Sequence, residues 1–200
     1  YQIGGGCLSS ILSLDMETAN YSHEIGGWDK THLFQPTVVA TWDGENGVLY
    51  CNKSLPGMSS NLQFKPLHPR ILGDDLWGHV EKGGKILGHN IVGFDLPILR
   101  DALDCWSAGD ILGKQEVTVD TAHLVRKFTG NSIPLNDLVK CTLGKSKLMN
   151  SIDAPIAWRE GNYSEVVKYC LSDAQLAYDL WKHGCNEGFV KAHCKSTGHI

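Results

Sequence analysis

Two acidic side chains close an apolar stretch near the start of the chain, within the sequence Leu14-Asp15-Met16-Glu17-Thr18. Because successive side chains of a β-strand point to opposite faces, Asp15 and Glu17 are expected on one face, opposite the apolar residues. Neighbouring carboxylates repel each other unless a cation lies between them, and their oxygens favour Mg²⁺ or Mn²⁺. The pattern predicts a metal site, the alternative being a strand end whose acids face water.

Two later segments carry further acids beside polar groups. Asn90 and Asp95 follow a short predicted strand, and Asp95 falls at the start of a predicted helix. Tyr169 and Asp173 are four residues apart in a long helical pattern, so their side chains share one face of that helix. Each segment has a structural alternative: Asp95 as an acid favoured by the helix dipole, and Tyr169 as a hydroxyl satisfied between helix and sheet.

The order of these residues resembles the three exonuclease motifs of the DEDD superfamily. The matching residues are, in chain order, Asp15 and Glu17, then Asn90 and Asp95, then Tyr169 and Asp173. The tyrosine makes the chain similar to the DEDDy branch, the 3′–5′ exonucleases with a ribonuclease H-like fold. The branch with a histidine carries it five residues before the last acid, where this chain has Lys168.

The resemblance extends over most of the chain, from about residue 11 to about residue 190. Segments at residues 24–28, 132–138 and 142–145 look like those of a bacterial subgroup of ribonuclease H-like exonucleases. Some members of that subgroup stand alone and others are attached to helicases. The resemblance therefore implies single-stranded DNA or RNA ends as the substrate, and a helicase or repair protein as a possible partner.

The activity that the resemblance implies is metal-dependent hydrolysis of phosphodiester bonds at the 3′ end of single-stranded or frayed DNA or RNA. Two divalent ions about 4 Å apart activate water and stabilise the leaving oxygen in such reactions. By resemblance, Asp15 bridges two Mg²⁺ or Mn²⁺ ions, Glu17 and Asp173 complete the shell of the first ion, and Asp95 supports the second. Tyr169 would orient the attacking water, and these five residues form the expected catalytic set.

Seven residues near the acids are candidate substrate contacts of three kinds. Apolar side chains would pack on the terminal base or sugar, hydroxyl and amide groups would contact the 3′-hydroxyl or phosphate, and ammonium groups would meet the upstream strand. The candidates are, in that order, Met16, Phe94 and Leu96; Thr18 and Asn90; and Lys145 and Lys147. Stacking needs only the face of a base, so little sequence preference is expected.

Composition describes an ordinary globular chain of 200 residues, 42% hydrophobic and 20% charged, with a formal net charge of −4. We expect one domain over residues 1–200, with its core at about 8–190. The sequence contains no run of eighteen apolar residues, so no membrane span is expected. The 7 cysteines form no CxxC pair, which favours a reducing compartment and a cytoplasmic location.

Hydrophobic patterns predict hairpin strands first and then alternating strands and helices, so the expected fold is α/β. By resemblance it is a ribonuclease H-like mixed sheet, with three antiparallel strands followed by parallel strands and with helices on both faces. Strands are predicted at residues 8–16, 33–42, 48–51, 85–88 and 117–119, helices at 72–82, 94–103, 120–128, 132–142 and 163–182, and a loop at 52–68.

Other groups are weaker candidates for chemistry. Five potential zinc ligands crowd the C-terminus, at irregular spacings that are not typical of a zinc site: His183, Cys185, His193, Cys194 and His199. Asp120 falls at a strand-to-helix junction, where it is expected to cap the helix. The alternatives to an exonuclease are a ribonuclease H-like module that binds nucleic acid without cutting it, and an endonuclease of the same fold.

Overall fold

The computed structural model describes residues 10–53 and 60–192. Six strands form one sheet in the order β4-β3-β2-β1-β5-β6. Their bounds are β1 Ile11–Thr18, β2 Pro36–Trp42, β3 Gly47–Cys51, β4 Leu62–Lys65, β5 Lys85–Gly88 and β6 Thr118–Asp120. The first three strands pair antiparallel, whereas β5 pairs parallel with β1, β6 with β5, and β4 with β3. The expected α/β class and mixed sheet are confirmed, and β1 lies near the centre of the sheet.

Seven α-helices accompany the sheet in the described part of the chain. They are α1 Pro69–Glu81, α2 Asp95–Asp101, α3 Trp106–Leu112, α4 Thr121–Thr129, α5 Leu135–Leu143, α6 Ala154–Arg159 and α7 Tyr163–Glu187. Short 3-10 turns lie at Ser22–Glu24, Thr31–Leu33 and Gln115–Val117.

Alternating side chains of the strands divide the core between the two faces of the sheet. Val39 and Tyr50 pack on one face with apolar residues of α1, α2 and α3. Val38, Ala40 and Leu49 pack on the other face with α6 and α7. A third cluster joins α4 and α5 to the C-terminal half of α7. Helices therefore cover both faces, as expected, and β1 lies between them.

Several predicted boundaries were wrong because the local signals are weak. The loop expected at 52–68 contains β4, a short edge strand whose Phe64 is largely exposed and which shows no apolar alternation. Helix α1 begins at Pro69 rather than at residue 72, because proline fits the first helical position and His68 caps the helix. Helices α3 and α6 were not predicted, since each has only six or seven residues. Residues 8 and 9 of the first predicted strand lie outside the described residues.

No helix in the described ranges combines the length and the apolar character needed to cross a membrane. The cysteines described there are not joined in disulfides with one another; they are Cys51, Cys105, Cys141, Cys170 and Cys185.

A glycine allows the close approach of β5 to β1 below the acids. A Cβ atom at Gly88 would lie 2.8 Å from the carbonyl oxygen of Leu14 and would also collide with Ile91.

We expect Gly88→Ala to lower the free energy of unfolding by about 1–3 kcal/mol, because the backbone must shift. The matched control is Gly78→Ala in α1, where no atom lies within 4 Å of the new Cβ and the helix should gain up to about 1 kcal/mol. Urea unfolding measures both changes, and equal stability of the two variants would contradict this account.

Candidate metal centre

Three carboxylates from opposite ends of the chain meet at the centre of the molecule. Asp15 and Glu17 project from β1 and Asp173 from α7, and each offers one oxygen atom within 4.8 Å of the other two. Asp173 is buried, whereas Asp15 and Glu17 are partly exposed to a cavity. The strand alternation places Leu14 and Met16 in the core on the opposite side. This arrangement has the oxygen ligands that Mg²⁺ and Mn²⁺ prefer.

A short contact between α7 and the sheet fixes the distance between these acids. The thiol of Cys170 lies 3.3 Å from the carbonyl oxygen of Asp15, to which it donates a hydrogen bond. Burial raises the pKa of Cys170, so that the thiol keeps its proton. Ala174, one helical turn further on, is completely buried against the same face. Small side chains at these positions let the helix approach β1 closely enough for Asp173 to reach Asp15 and Glu17.

Two oxygen atoms of this group are buried without a partner. Neither Oδ2 of Asp15 nor Oδ1 of Asp173 has a hydrogen-bond partner in the described part of the chain. An unsatisfied buried acceptor costs about 1–3 kcal/mol, and more when it is charged. A divalent cation would satisfy both atoms at once, so these residues fit a metal ion.

The pKa values of the three acids are raised, which also indicates that ionising them without a bound cation is unfavourable. Burial raises the pKa of Asp15, and the charges of Asp173 and Glu17 raise it further. Burial followed by the charge of Asp173 raises the pKa of Glu17, and burial raises that of Asp173. A bound cation favours the ionised forms and would reverse these shifts.

Asp95 lies beside this group rather than within it. It occupies the first position of α2 and is 4% exposed, and it is not one of the three acids whose oxygens lie mutually within 4.8 Å. Burial raises its pKa to about 7, against the opposing effect of backbone N–H groups, including that of Met16. Its charge nevertheless adds to the effects that raise the pKa values of Asp15 and Glu17.

Asp120 holds the loop that leads into Asp95. Its Oδ1 accepts the backbone N–H of Asn90 at 2.9 Å and that of His123 at 3.1 Å, and its Oδ2 accepts that of Val92 at 3.0 Å. The expected helix cap at Asp120 is thus confirmed, and the same carboxylate also fixes the preceding loop. Asn90 needs this support because its φ angle is 70°, in the left-handed region.

Lys147 brings a positive charge into the acidic group. Its ammonium group forms an ion pair with Oδ2 of Asp173 and donates a hydrogen bond to the hydroxyl of Tyr169, at 3.0 Å. Burial opposes the charged form of Lys147, but the carboxylates around it outweigh burial and raise its pKa. Burial and the charge of Asp173 raise the pKa of Tyr169, which therefore stays a neutral hydroxyl.

The acids open into a cavity of about 540 Å³, part of whose wall is aromatic. Trp28, Phe34 and Phe94 line it and contact one another, with ring centroids 5.5 to 6.2 Å apart. Phe34 is buried, whereas Trp28 is 68% exposed. The cavity therefore combines a charged floor with an exposed aromatic ring.

One side of this cavity is closed by contacts across the chain. The hydroxyl of Tyr21 donates a hydrogen bond to the carbonyl oxygen of Ile152. Arg159 pairs with Glu24 at 2.7 Å and lies over the ring of Tyr21. These contacts join the loop after β1 to α6 and its preceding turn.

The structure brings most of the predicted substrate contacts to this cavity, but not all of them. Five of the seven line it, namely Met16, Thr18, Asn90, Phe94 and Lys147, but the Met16 side chain is 3% exposed and packs in the core on the opposite face of β1. Leu96 is completely buried in the core, because its place in α2 faces the sheet, so the expected contact with a base or sugar was wrong. Lys145 pairs with Asp179 at 2.6 Å and lines a different cavity, beside Trp42.

The zinc hypothesis can be followed only in part. His183 and Cys185 lie in α7, while His193, Cys194 and His199 lie outside the described residues. Within the described ranges, the acids Asp15, Glu17 and Asp173 are the group of three that meets the geometric requirement for a metal site.

Sequence reasoning assigned no role to Trp28, Tyr21 and His89, which all line the cavity. Trp28 follows two glycines in a loop after the acidic strand, and a large aromatic residue in such a loop was the available signal. His89 contacts the Thr121 hydroxyl at 2.9 Å, and burial lowers its pKa to about 4, so it is neutral near pH 7.

Comparison with models of known protein families gives no match to this sequence, and comparison with curated proteins gives no significant match. The chemistry of the site therefore has to be inferred from its own residues.

The repulsion within the acidic group predicts how stability responds to pH and to metal. We expect Asp15→Asn to raise the free energy of unfolding of the metal-free protein at pH 7.5 by about 1–3 kcal/mol, because it removes a buried charge. With Mn²⁺ at about 1,000 times its dissociation constant the order should reverse, since the wild type gains about 4.1 kcal/mol by binding. Thermal unfolding in EDTA and in MnCl₂ measures both differences.

The sign of the pH effect follows from the raised pKa values. A folded acid with a raised pKa holds its proton when the unfolded chain has lost it, so the contribution of Asp95 to metal-free stability should fall as pH rises from 3.8 to about 7. The matched control for Asp15→Asn is Asp110→Asn, because Asp110 is an exposed acid in α3. A lower stability of metal-free Asp15→Asn than of the wild type at pH 7.5 would refute the argument.

Proposed function

We propose that this protein is a metal-dependent 3′–5′ exonuclease with a ribonuclease H-like fold. The observation that carries the proposal is the convergence of the carboxylates of Asp15, Glu17 and Asp173. One oxygen of Asp15 and one oxygen of Asp173 are buried there without a hydrogen-bond partner. The hydroxyl of Tyr169 lies in the same cavity. Acids on the central strand of a sheet with three antiparallel strands followed by parallel ones are what the resemblance to DEDDy exonucleases implies.

Two Mg²⁺ or Mn²⁺ ions would supply an activated water and stabilise the leaving oxygen. Asp15, Glu17 and Asp173 would hold the ions, with support from Asp95 at the side. The water oxygen would bond to phosphorus as the bond to the 3′ oxygen of the preceding nucleotide breaks. The water would lose a proton to solvent and the leaving 3′ oxygen would take one up, which releases a nucleoside 5′-monophosphate. Tyr169 cannot accept the proton of the water as a phenolate, because its pKa is raised, so its role is to orient the water by hydrogen bonding.

The aromatic wall of the cavity supports a nucleic-acid end as the substrate. Trp28 presents an exposed ring whose packing against Phe34 and Phe94 holds it in place. A base stacked on an aromatic side chain gains about 1–3 kcal/mol without regard to its identity. An unpaired terminal nucleotide could therefore place its base on Trp28 and its phosphate over the acids, whereas paired bases are already stacked in the duplex.

Cleavage of a 5′-labelled single-stranded oligonucleotide with Mn²⁺ tests the proposal. We expect a ladder that shortens one nucleotide at a time, and no cleavage by Asp15→Asn. Tyr169→Phe should cut roughly ten- to a hundredfold more slowly, the effect of losing one hydrogen bond to a charged group. A shifted but intact band would indicate a binding module, and continued cutting when the 3′ end is blocked would indicate an endonuclease.

The aromatic wall gives a separate prediction. We expect Trp28→Ala to raise the KM for a single-stranded oligonucleotide roughly five- to a hundredfold, because the stacked base is lost. The matched control is Trp106→Ala, which removes an exposed indole, 85% accessible, that lines a different cavity. Initial rates over a range of substrate concentrations give both KM values. An equal KM for Trp28→Ala and the wild type would show that the base lies elsewhere.

A further inference from the structure

The ammonium group of Lys147 takes a position that a metal ion would compete for. It pairs with Asp173, one of the three acids able to bind the ion, and donates a hydrogen bond to Tyr169 at 3.0 Å. Against the larger effect of burial, its charge also lowers the pKa values of Asp15 and Glu17. Lys147 thus acts as the counter-ion of the acidic group while no divalent cation is bound.

The surroundings of Lys147 allow its side chain to move without its backbone. The residue lies between α5 and α6, where its backbone N–H donates to Oδ1 of Asn136 at 3.1 Å. The four-carbon stem of lysine is flexible, and Lys147 lines both the acidic cavity and a neighbouring one of about 510 Å³. The ammonium group can therefore leave Asp173 and remain in the cleft.

Charge balance indicates where the ammonium group goes. When ionised, the four acids Asp15, Glu17, Asp95 and Asp173 carry four negative charges, and two divalent ions would neutralise them. With the ammonium group of Lys147 included, the net charge of the filled site is +1. One phosphodiester linkage carries one negative charge, so the complete site matches its substrate only if Lys147 is present.

We propose that Lys147 is an exchangeable counter-ion, which yields Asp173 to the divalent metal and then binds the phosphate at the scissile bond. This inference rests on the proposed function. Because Lys147 opposes the metal and attracts the substrate, removal of its charge must change metal affinity and turnover in opposite directions. A purely structural lysine would not produce that pair of effects.

Calorimetric titration with Mn²⁺, without nucleic acid, tests the competition. We expect Lys147→Met, which keeps the apolar stem, to bind Mn²⁺ roughly tenfold more tightly than the wild type, equivalent to about 1.4 kcal/mol. Lys145→Met is the matched control, because it removes an ammonium group two residues away that pairs with Asp179. Its Mn²⁺ affinity should equal that of the wild type. Equal or weaker binding by Lys147→Met overturns the competition.

The wild type provides a second readout that does not depend on the folding of a variant. Acetylation of Lys147 by an N-hydroxysuccinimide ester, followed by peptide mass spectrometry, should be slow in EDTA and several-fold faster with Mg²⁺. Lys145 serves as the internal reference, since it is more exposed and lies outside the acidic cavity. An unchanged rate at Lys147 with saturating Mg²⁺ overturns the exchange.

The phosphate contact is tested on a minimal diester, thymidine 5′-(p-nitrophenyl phosphate), at saturating Mn²⁺. We expect kcat of Lys147→Met to fall roughly ten- to a hundredfold, because a charge-assisted hydrogen bond to phosphate is lost. A kcat equal to that of the wild type overturns the phosphate contact. If the wild type degrades oligonucleotides but Lys147→Met shows neither effect, only the role of Lys147 fails; if the wild type binds no Mn²⁺, both proposals fail.

Discussion

Repulsion between buried carboxylates is the constraint on which the rest of this structure depends. Asp15, Glu17 and Asp173 lie close together and partly shielded from water, so burial and mutual repulsion raise the pKa values of Asp15 and Glu17. The fold nevertheless holds them there, through the central position of β1 and the close approach of α7 at Cys170. A divalent cation bound by this group would offset the repulsion, so metal binding and the stability of the fold would be coupled.

The two sides of the cleft differ in how they are built. The acids project from the central strand and from the longest helix, both packed in the core, so their positions are fixed by many apolar contacts. The opposite wall consists of loop residues such as Trp28 and Tyr21, held by ring contacts and by the bond to Ile152. Under the proposed function, the fixed floor would place the phosphate accurately while the wall of loops would accept different bases.

Sequence reasoning succeeded where the chain has a regular period. The alternation around Asp15 and the 3.6-residue period of α7 predicted which acids would share a face, and these elements are long enough for the pattern to be read. Helix α6 and strand β4 were missed because short elements contain less than one full pattern. The place of Trp28 in the cavity and the ion pair of Lys147 with Asp173 could not be predicted, since both depend on loops whose path is set by tertiary contacts rather than by local preference.

Asp120 shows how a residue outside the chemistry can be as restricted as one within it. Its two oxygens accept three backbone N–H groups, from Asn90, Val92 and His123. Asparagine would have to turn an amide donor toward one of these donors, and glutamate would be too long for the same geometry. The geometry therefore favours aspartate at position 120, and a search for metal ligands by burial and charge alone would select Asp120 although its carboxylate accepts backbone N–H groups.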